Sequence, residues 1–317
     1  MKAQETLNRK IVYFLGGGIL AFLAYELYNC RRIRFRTLEL DLEGEAGDGD
    51  SDRLSILHIS DIHATARTGR RLAALEALSH KQWDLVFITG DLIENDSGIE
   101  PLATVLGRLR ARYGKYAVLG NHDYLYCKPK NIVQYFQVLF GSTHNRYSNS
   151  CCVENDIPRL VRTFEGHGVR VLGNELAEGV TSQGRPFQIF GIDDFLTGRD
   201  DPAALYSRKK DEALRLVLMH SPCRLEDIRP LDPALVLCGH THGGQVRVPF
   251  FGALSTGSDA SRRAASGMVE LGGCRLHISS GVGAGAVFPW RIYAPPEITE
   301  IIIPVLSGKT GWKREIN

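Results

Sequence analysis

The chain has 317 residues, 44% hydrophobic and 23% charged, with a formal net charge of +2. Those values are ordinary for a folded globular protein. Near-neutrality, with no long basic run outside the N-terminal region, speaks against nucleic acid as a partner, because phosphate-backbone binding leaves a basic footprint. The seven cysteines follow no metal-type or disulfide-type spacing. An odd number, including the adjacent Cys151 and Cys152, predicts reduced thiols and a domain facing a reducing compartment.

In chain order, residues 1–10 form a short flank. Ile11 to Tyr28 is apolar, broken only by Glu26 near its end. Such a run is long enough to cross a bilayer as a helix, which takes roughly 17 to 25 residues. Gly16, Gly17 and Gly18 are tolerated in a membrane helix, and Glu26 is expected at an interface with its carboxylate reaching water. No small-residue cleavage site follows, and Tyr28 and Asn29 before Cys30 do not resemble a lipoprotein processing site. The expectation is an uncleaved transmembrane anchor over 11–30. Lys2, Arg9 and Lys10 precede it, and Arg31, Arg32, Arg34 and Arg36 follow. The positive-inside rule then favours a cytoplasmic C-terminal domain by one residue, with the basic segment 31–36 beside anionic headgroups.

Residues 31–53 read as a basic strand (33–42) and an acidic, glycine-rich loop (43–53). From Leu54 a rhythm begins: apolar runs at 54–59, 84–89 and 116–119 alternate with helical patterns near 71–78 and 99–112. The second half repeats it with runs at 187–192, 214–219 and 234–238 and a helix near 202–213. Further strands are expected at 246–248, 275–279 and 298–303. Alternating elements of these lengths predict an α/β layered sheet in one domain, 54–306, followed by a flexible tail, 307–317.

Five short motifs sit where apolar strands end. They are Asp61-Ile62-His63, Gly90-Asp91, Gly120-Asn121-His122-Asp123, His220 and Gly239-His240-Thr241-His242. In open α/β sheets, ligand sites form outside the carboxyl ends of the strands, so side chains from five strands can converge there. Carboxylates, imidazoles and one amide, without a thiolate, suit Mn, Fe or Zn. A lone Asp-x-His is often accidental, and Gly-Asp after a strand is commonly a turn. Five such motifs at successive strand ends are hard to attribute to chance.

Over most of 54–303 the sequence resembles the calcineurin-like metallophosphoesterase superfamily, and within it the bacterial membrane-anchored branch. The residues that carry the resemblance are Ile59-Ser60-Asp61-Ile62-His63, Phe87-Ile88-Thr89-Gly90-Asp91 and Gly239-His240-Thr241-His242-Gly243-Gly244-Gln245. Ser279-Ser280-Gly281-Val282-Gly283, Pro289-Trp290-Arg291 and Pro295-Pro296-Glu297-Ile298 also fit. The resemblance implies a four-layer αββα sandwich preceded by one N-terminal transmembrane helix. It implies two divalent metal ions, with Mn first and Fe or Zn as alternatives. Asp61, His63 and His242 would bind one ion, Asn121, His220 and His240 the other, and Asp91 both. His122 would face the scissile phosphate as the catalytic residue. Glu94 stands where many relatives carry an Asp that orients that histidine, and Asp123 is a further candidate behind the ligands. His58, His80, His144, His167 and His277 match no ligand and are expected to be structural or exposed.

The expected reaction is hydrolysis of a phosphodiester or pyrophosphate by metal-activated hydroxide. An insertion at 127–157 carries Ile132, Val133, Tyr135, Phe136, Val138, Leu139 and Phe140 at partly helical spacing. It reads equally as a lid over an acyl chain or as a helix packed on the surface. Anchoring raises the expectation of a lipid-linked substrate at the bacterial inner membrane. Members with this layout point to UDP-2,3-diacylglucosamine of lipid A biosynthesis. A general phosphodiesterase with a non-lipid substrate is the alternative, and an inactive membrane scaffold the remote one. A protein phosphatase fits less well, because Gly90-Asp91-Leu92-Ile93-Glu94-Asn95 lacks an arginine-containing extension.

Overall fold

A computed structural model describes residues 2–40, 53–127, 152–248, 250–256, 258, 264–271, 274–285 and 290–304. The tail 307–317, nearly all of the acidic loop 43–53 and the apolar cluster of the 127–157 insertion lie outside the described residues, as does His144.

Two six-stranded sheets form the centre. The first contains β1 (Arg34–Glu39), β2 (Arg53–Ile59), β3 (Leu85–Thr89), β4 (Lys115–Val118), β5 (Val169–Val171) and β12 (Glu297–Pro304), in the order β1-β12-β2-β3-β4-β5. The second contains β6 (Glu175–Val180), β7 (Pro186–Gly191), β8 (Leu214–Leu218), β9 (Leu235–Cys238), β10 (Gly267–Leu271) and β11 (Cys274–Ile278), in the order β6-β7-β8-β9-β11-β10. β2, β3, β4 and β5 run parallel, as do β7, β8, β9 and β11.

Alternation along each strand sorts side chains to opposite faces. Leu54 and Ile56 of β2 and Leu85 and Phe87 of β3 pack between the sheets, against Ile189, Leu216 and Leu235. Leu57, Ile59, Val86 and Ile88 face outward. There they meet Leu75 of α2 (Gly69–Glu76), Leu102 and Leu106 of α3 (Ile99–Arg108), and Leu160 and Phe164 of α4 (Ile157–Gly166). Beyond the second sheet, Val217, Val236 and Ile278 pack on Leu205, Ile228 and Leu231 from short helical segments. The result is the expected four-layer α/β sandwich. Each fully buried Leu, Ile or Phe contributes about 1.5–3 kcal/mol, and that burial fixes the strand register that aims the site.

Several expectations are corrected. The helix expected over 202–213 is a 3-10 segment, Pro202–Arg208, whose start is capped by Asp201 accepting from the Ala204 N–H. α4 and β6 were not anticipated; α4 begins with Pro158 in its first turn and Asp156 as its cap. Cys127 and Cys152 form a disulfide, against the expectation of reduced thiols. Strand Leu125–Cys127 pairs antiparallel with Cys152–Glu154, which sets Cys127 opposite Cys152. Among the described residues Cys30, Cys223 and Cys238 are not in disulfides.

The first helix, α1 (Lys2–Asn29), runs without interruption through Gly16, Gly17 and Gly18. Tyr13, Phe14, Leu20, Phe22, Tyr25 and Tyr28 stand exposed on it. Among the described residues no helix is long and apolar enough to cross a membrane. Glu26 is buried rather than reaching water, because its carboxylate accepts a hydrogen bond from the Tyr293 N–H at 3.1 Å.

Candidate metal centre

The predicted site residues follow the carboxyl ends of five parallel strands: Asp61 and His63 after β2, Asp91 after β3, Asn121 after β4, His220 after β8, and His240 and His242 after β9. Leaving a strand and turning its side chain inward forces the chain into unusual backbone conformations. Asp61, His63, Asp91, His240 and His242 all have positive φ, between 47° and 68°. That conformation costs roughly 1–3 kcal/mol at a non-glycine residue. Its concentration at five candidate ligands marks a functional constraint rather than a folding one.

Gly90 and Gly239 make the convergence possible. Gly90 has φ +74°, and a Cβ there would lie 2.4 Å from His220 Nδ1. A Cβ at Gly239 would lie 1.8 Å from Ser60 Oγ and 2.3 Å from Asp61 Oδ2. The two sheets therefore meet through backbone that only glycine can provide.

Asp61, His63, Asp91 and His242 offer one atom each within 4.8 Å of one another, and so do Asp91, His220 and His240. The two groups share only Asp91. Its Oδ2 lies 3.5 Å from His63 Nε2, and its Oδ1 lies 3.3 Å from His220 Nε2. His63 Nε2 and His242 Nε2 face each other at 3.3 Å, and His220 Nε2 and His240 Nδ1 at 3.2 Å. Asn121 is buried at the start of a single helical turn, Asn121–Tyr124, beside Gly120, which packs on Asp91 and His220.

The surrounding bonds prepare the imidazoles as ligands. His63 Nδ1 donates to Glu94 Oε2 at 2.8 Å, and His220 Nδ1 donates to the Thr89 carbonyl at 2.9 Å. Each leaves an Nε2 lone pair pointing into the cluster, the arrangement metal-binding histidines adopt. This donor set of carboxylates and imidazoles fits a pair of divalent ions. Burial opposes ionisation of Asp91, yet His220, His122 and His63 together hold its carboxyl well below the usual range. Burial likewise pulls His220 down, but the Asp91 carboxylate, with Asp61 and Asp194, overrides it and raises that imidazole well above its ordinary value. His242 is held well below its ordinary value by burial, then by Arg291 and His63.

His122 is not among the seven candidate ligands. It is partly exposed, stands edge-on to His63 with ring centroids 4.8 Å apart, and has Nδ1 3.8 Å from Glu94 Oε1. Its backbone N–H donates to Asp91 Oδ1 at 2.9 Å. Asp123 turns away from the cluster and accepts from the Gly120 and Ile93 N–H groups at 2.8 and 2.9 Å, clamping two of the strand-end loops together. Burial, reinforced by Asp91, pushes its carboxyl up to about 7.

Sequence reasoning missed three supporting groups. The buried Arg291 donates through Nη2 to His242 Nδ1 at 3.2 Å and through Nη1 to the His242 carbonyl at 3.1 Å. Arg71 Nη1 donates to the carbonyls of Ile62 and His63 at 2.9 and 3.0 Å. Asn155 donates to the carbonyls of His122 and Asp123, both at 3.1 Å. His58 and His277 form a buried pair at 2.8 Å between the sheets, whereas His80 and His167 are exposed.

Comparison with known proteins agrees with this geometry. Residues 54–244 match the family described as calcineurin-like phosphoesterase. The chain is 28% identical to the uncharacterized metallophosphoesterase YkoQ of Bacillus subtilis (strain 168), over 89% of this chain and 95% of that protein. It is 27% identical to the phosphodiesterase YaeI of Escherichia coli (strain K12), over 77% and 80%. It is also 25% identical to the UDP-2,3-diacylglucosamine pyrophosphatase LpxG of Chlamydia muridarum (strain MoPn / Nigg), over 62% and 66%.

Proposed function

The chain belongs to the calcineurin-like phosphoesterase family, and from that premise we propose a two-metal phosphohydrolase that works at a membrane on a lipid-linked phosphodiester or pyrophosphate. The observation that carries the two-metal reading is the position of Asp91 as the single carboxylate common to both ligand groups. Asp61, His63 and His242 would hold one ion and Asn121, His220 and His240 the other, with Asp91 available to both. Manganese is the proposed metal. When bound, such a pair supplies positive charge for the phosphoryl oxygens and acidity for an attacking water.

The protein's own groups do the rest. His122, beside Glu94 and open to solvent on one side, delivers a proton to the leaving oxygen, a contribution of roughly 10²–10⁴-fold. Glu94 fixes His63 through Nδ1 and faces His122 with its other oxygen, so one carboxylate orients both a metal ligand and the acid.

The substrate proposal is UDP-2,3-diacylglucosamine. Its support is the apolar run 11–28, read as a single-pass inner-membrane anchor, together with the pyrophosphatase relative. The Cys127–Cys152 disulfide withdraws the thiol argument for a cytoplasmic catalytic domain, leaving the basic flank 31–36 as its support. A non-lipid phosphodiester is the second reading, favoured by the phosphodiesterase relative, which this chain matches over more of its length. Manganese-loaded full-length protein, assayed on UDP-2,3-diacylglucosamine and on bis(p-nitrophenyl) phosphate, separates the two. Preference for the lipid is expected; equal efficiency on both would remove the lipid reading and leave the metal centre standing.

A further inference from the structure

A second concave site lies behind the metal centre, where the chain leaves α1. It is a cavity of about 310 Å³ lined by Arg31, Arg67, Arg70, Arg71 and Arg291, with the backbone of 282–284 as one wall. None of its lining residues is acidic. Arg71 is committed to the carbonyls of Ile62 and His63. Arg291 is committed to His242 and the neighbouring carbonyls. Arg31, Arg67 and Arg70 make no side-chain hydrogen bond or ion pair among the described residues.

Three uncompensated guanidinium groups around a concavity repel one another and focus positive potential into it. A guanidinium matches phosphate oxygens in charge and in its forked donor geometry. We propose that this cavity is an anion subsite that takes the phosphate of a glycerophospholipid headgroup or free phosphate. It is distinct from the metal centre. The segment 282–285 separates the two, since a Cβ at Gly283 would meet Arg71 Nη1 at 2.8 Å, while one at Gly285 would lie 3.7 Å from His63 Cε1 on the other side.

The position favours a headgroup. Arg31 lies two residues beyond the end of α1, and Glu26 ties the end of that helix to Tyr293, two residues from Arg291. If α1 is anchored, the cavity opens at headgroup depth, where guanidinium groups meet anionic lipid. Only this choice of source rests on the membrane reading given above; the anion site does not.

The test uses the full-length chain in amphipol, stripped of metal with a chelator so that the metal centre cannot take up phosphate. Calorimetric titrations compare dihexanoyl phosphatidylglycerol, dihexanoyl phosphatidylcholine and inorganic phosphate. Binding of the anionic lipid or of phosphate is expected, weakened about tenfold or more in Arg67→Gln/Arg70→Gln, as loss of charge-assisted bonds requires. Both side chains are exposed, so the variant should keep the wild-type melting temperature. Tighter binding of phosphatidylglycerol than of phosphate assigns the site to a headgroup, and equal affinity assigns it to phosphate. Absence of binding, equal binding of phosphatidylcholine, or unchanged affinity in the double variant would overturn the proposal. Hydrolysis of bis(p-nitrophenyl) phosphate by the reloaded double variant, expected at the wild-type rate, reports on the metal centre separately.

Discussion

Glu94 Oε2 lies 2.8 Å from Nδ1 of His63, and both groups are buried. Glu94 also groups with His63 and His122 as a third set of possible ligand atoms, but with its Oε2 engaged by His63 Nδ1 it selects the tautomer that frees His63 Nε2 for a metal. Glu94→Gln keeps the size and removes the charge. Loss of such an outer partner typically costs about 10–100-fold in metal affinity. Competitive chelator titration of the variant is expected to show a loss of that order, with activity recovering at high Mn²⁺. Wild-type affinity in Glu94→Gln would mean that the carboxylate does not tune His63.

The electrostatics of the metal-free centre predict an inverted stability profile. His220 is raised well above its ordinary value, so its contribution to stability is fully present below the unfolded histidine pKa, about 6.5. It is lost as pH rises through the folded value. Asp91, held low, contributes above about 3.8 and loses that contribution only as acid protonates it. Metal-free protein should therefore melt at falling temperature as pH is raised from about 6.5 to the folded value, because over that range the unfolded chain has released the His220 proton that the folded chain still holds. Metal-loaded protein should not, since the ions replace that charge. Parallel melting curves for the two forms between pH 6 and 9 would count against this account of the cluster.

Much of the centre was legible because strand alternation is legible. Apolar runs end one or two residues before Asp61, Asp91 and His220, and a chain leaving a buried strand has few ways to point a polar side chain except into the edge crevice. What could not be read depends on register between distant segments. Cys127 faces Cys152 rather than Cys151 because of how strand 125–127 pairs with 152–154, and one residue of slip would reverse it. Arg291 reaches His242 across 49 residues through a loop with no periodicity. β6 escaped notice because it is a sheet edge carrying Glu175, Glu178 and Gly179, which blunt its strand pattern.

The crossing of the two sheets at Gly90 gives a steric prediction. Gly90→Ala would place a methyl group 2.4 Å from His220 Nδ1 at a backbone conformation that alanine disfavours. The expected cost exceeds about 1 kcal/mol. His220 must move, so metal content measured by elemental analysis should fall along with the melting temperature. A variant that melts lower but keeps two ions per chain would mean that His220 is not a required ligand.

The disulfide is connected to the catalytic turn. Cys127–Cys152 closes the pairing of 125–127 with 152–154, and Asn155, the next residue, bonds the carbonyls of His122 and Asp123. With a sequence separation of 25 between the two cysteines, a cross-link of this kind stabilises by about 3.5 kcal/mol in the loop-entropy picture. Cys152→Ser is expected to lower turnover on an alkyl phosphodiester, whose leaving oxygen needs the His122 proton, while metal content stays at the wild-type level. Unchanged turnover would show that the ladder does not hold His122 in place.

Asp91 and His122 are neighbours with different tasks, and their variants should fail differently. Asp91 serves both ligand groups and also accepts the His122 N–H at 2.9 Å. Asp91→Ala should abolish hydrolysis and release metal, because neither group is complete without it. His122→Ala removes an imidazole that stands 3.8 Å from Glu94 and outside the seven-residue ligand set. It should keep its metal and lose roughly 10²–10⁴-fold in kcat. The loss should be smaller on a substrate whose leaving group needs no proton, such as a nitrophenyl ester. Equal losses on nitrophenyl and alkyl leaving groups would show that His122 stabilises charge at phosphorus rather than protonating the departing oxygen, and loss of metal from His122→Ala would make it a ligand.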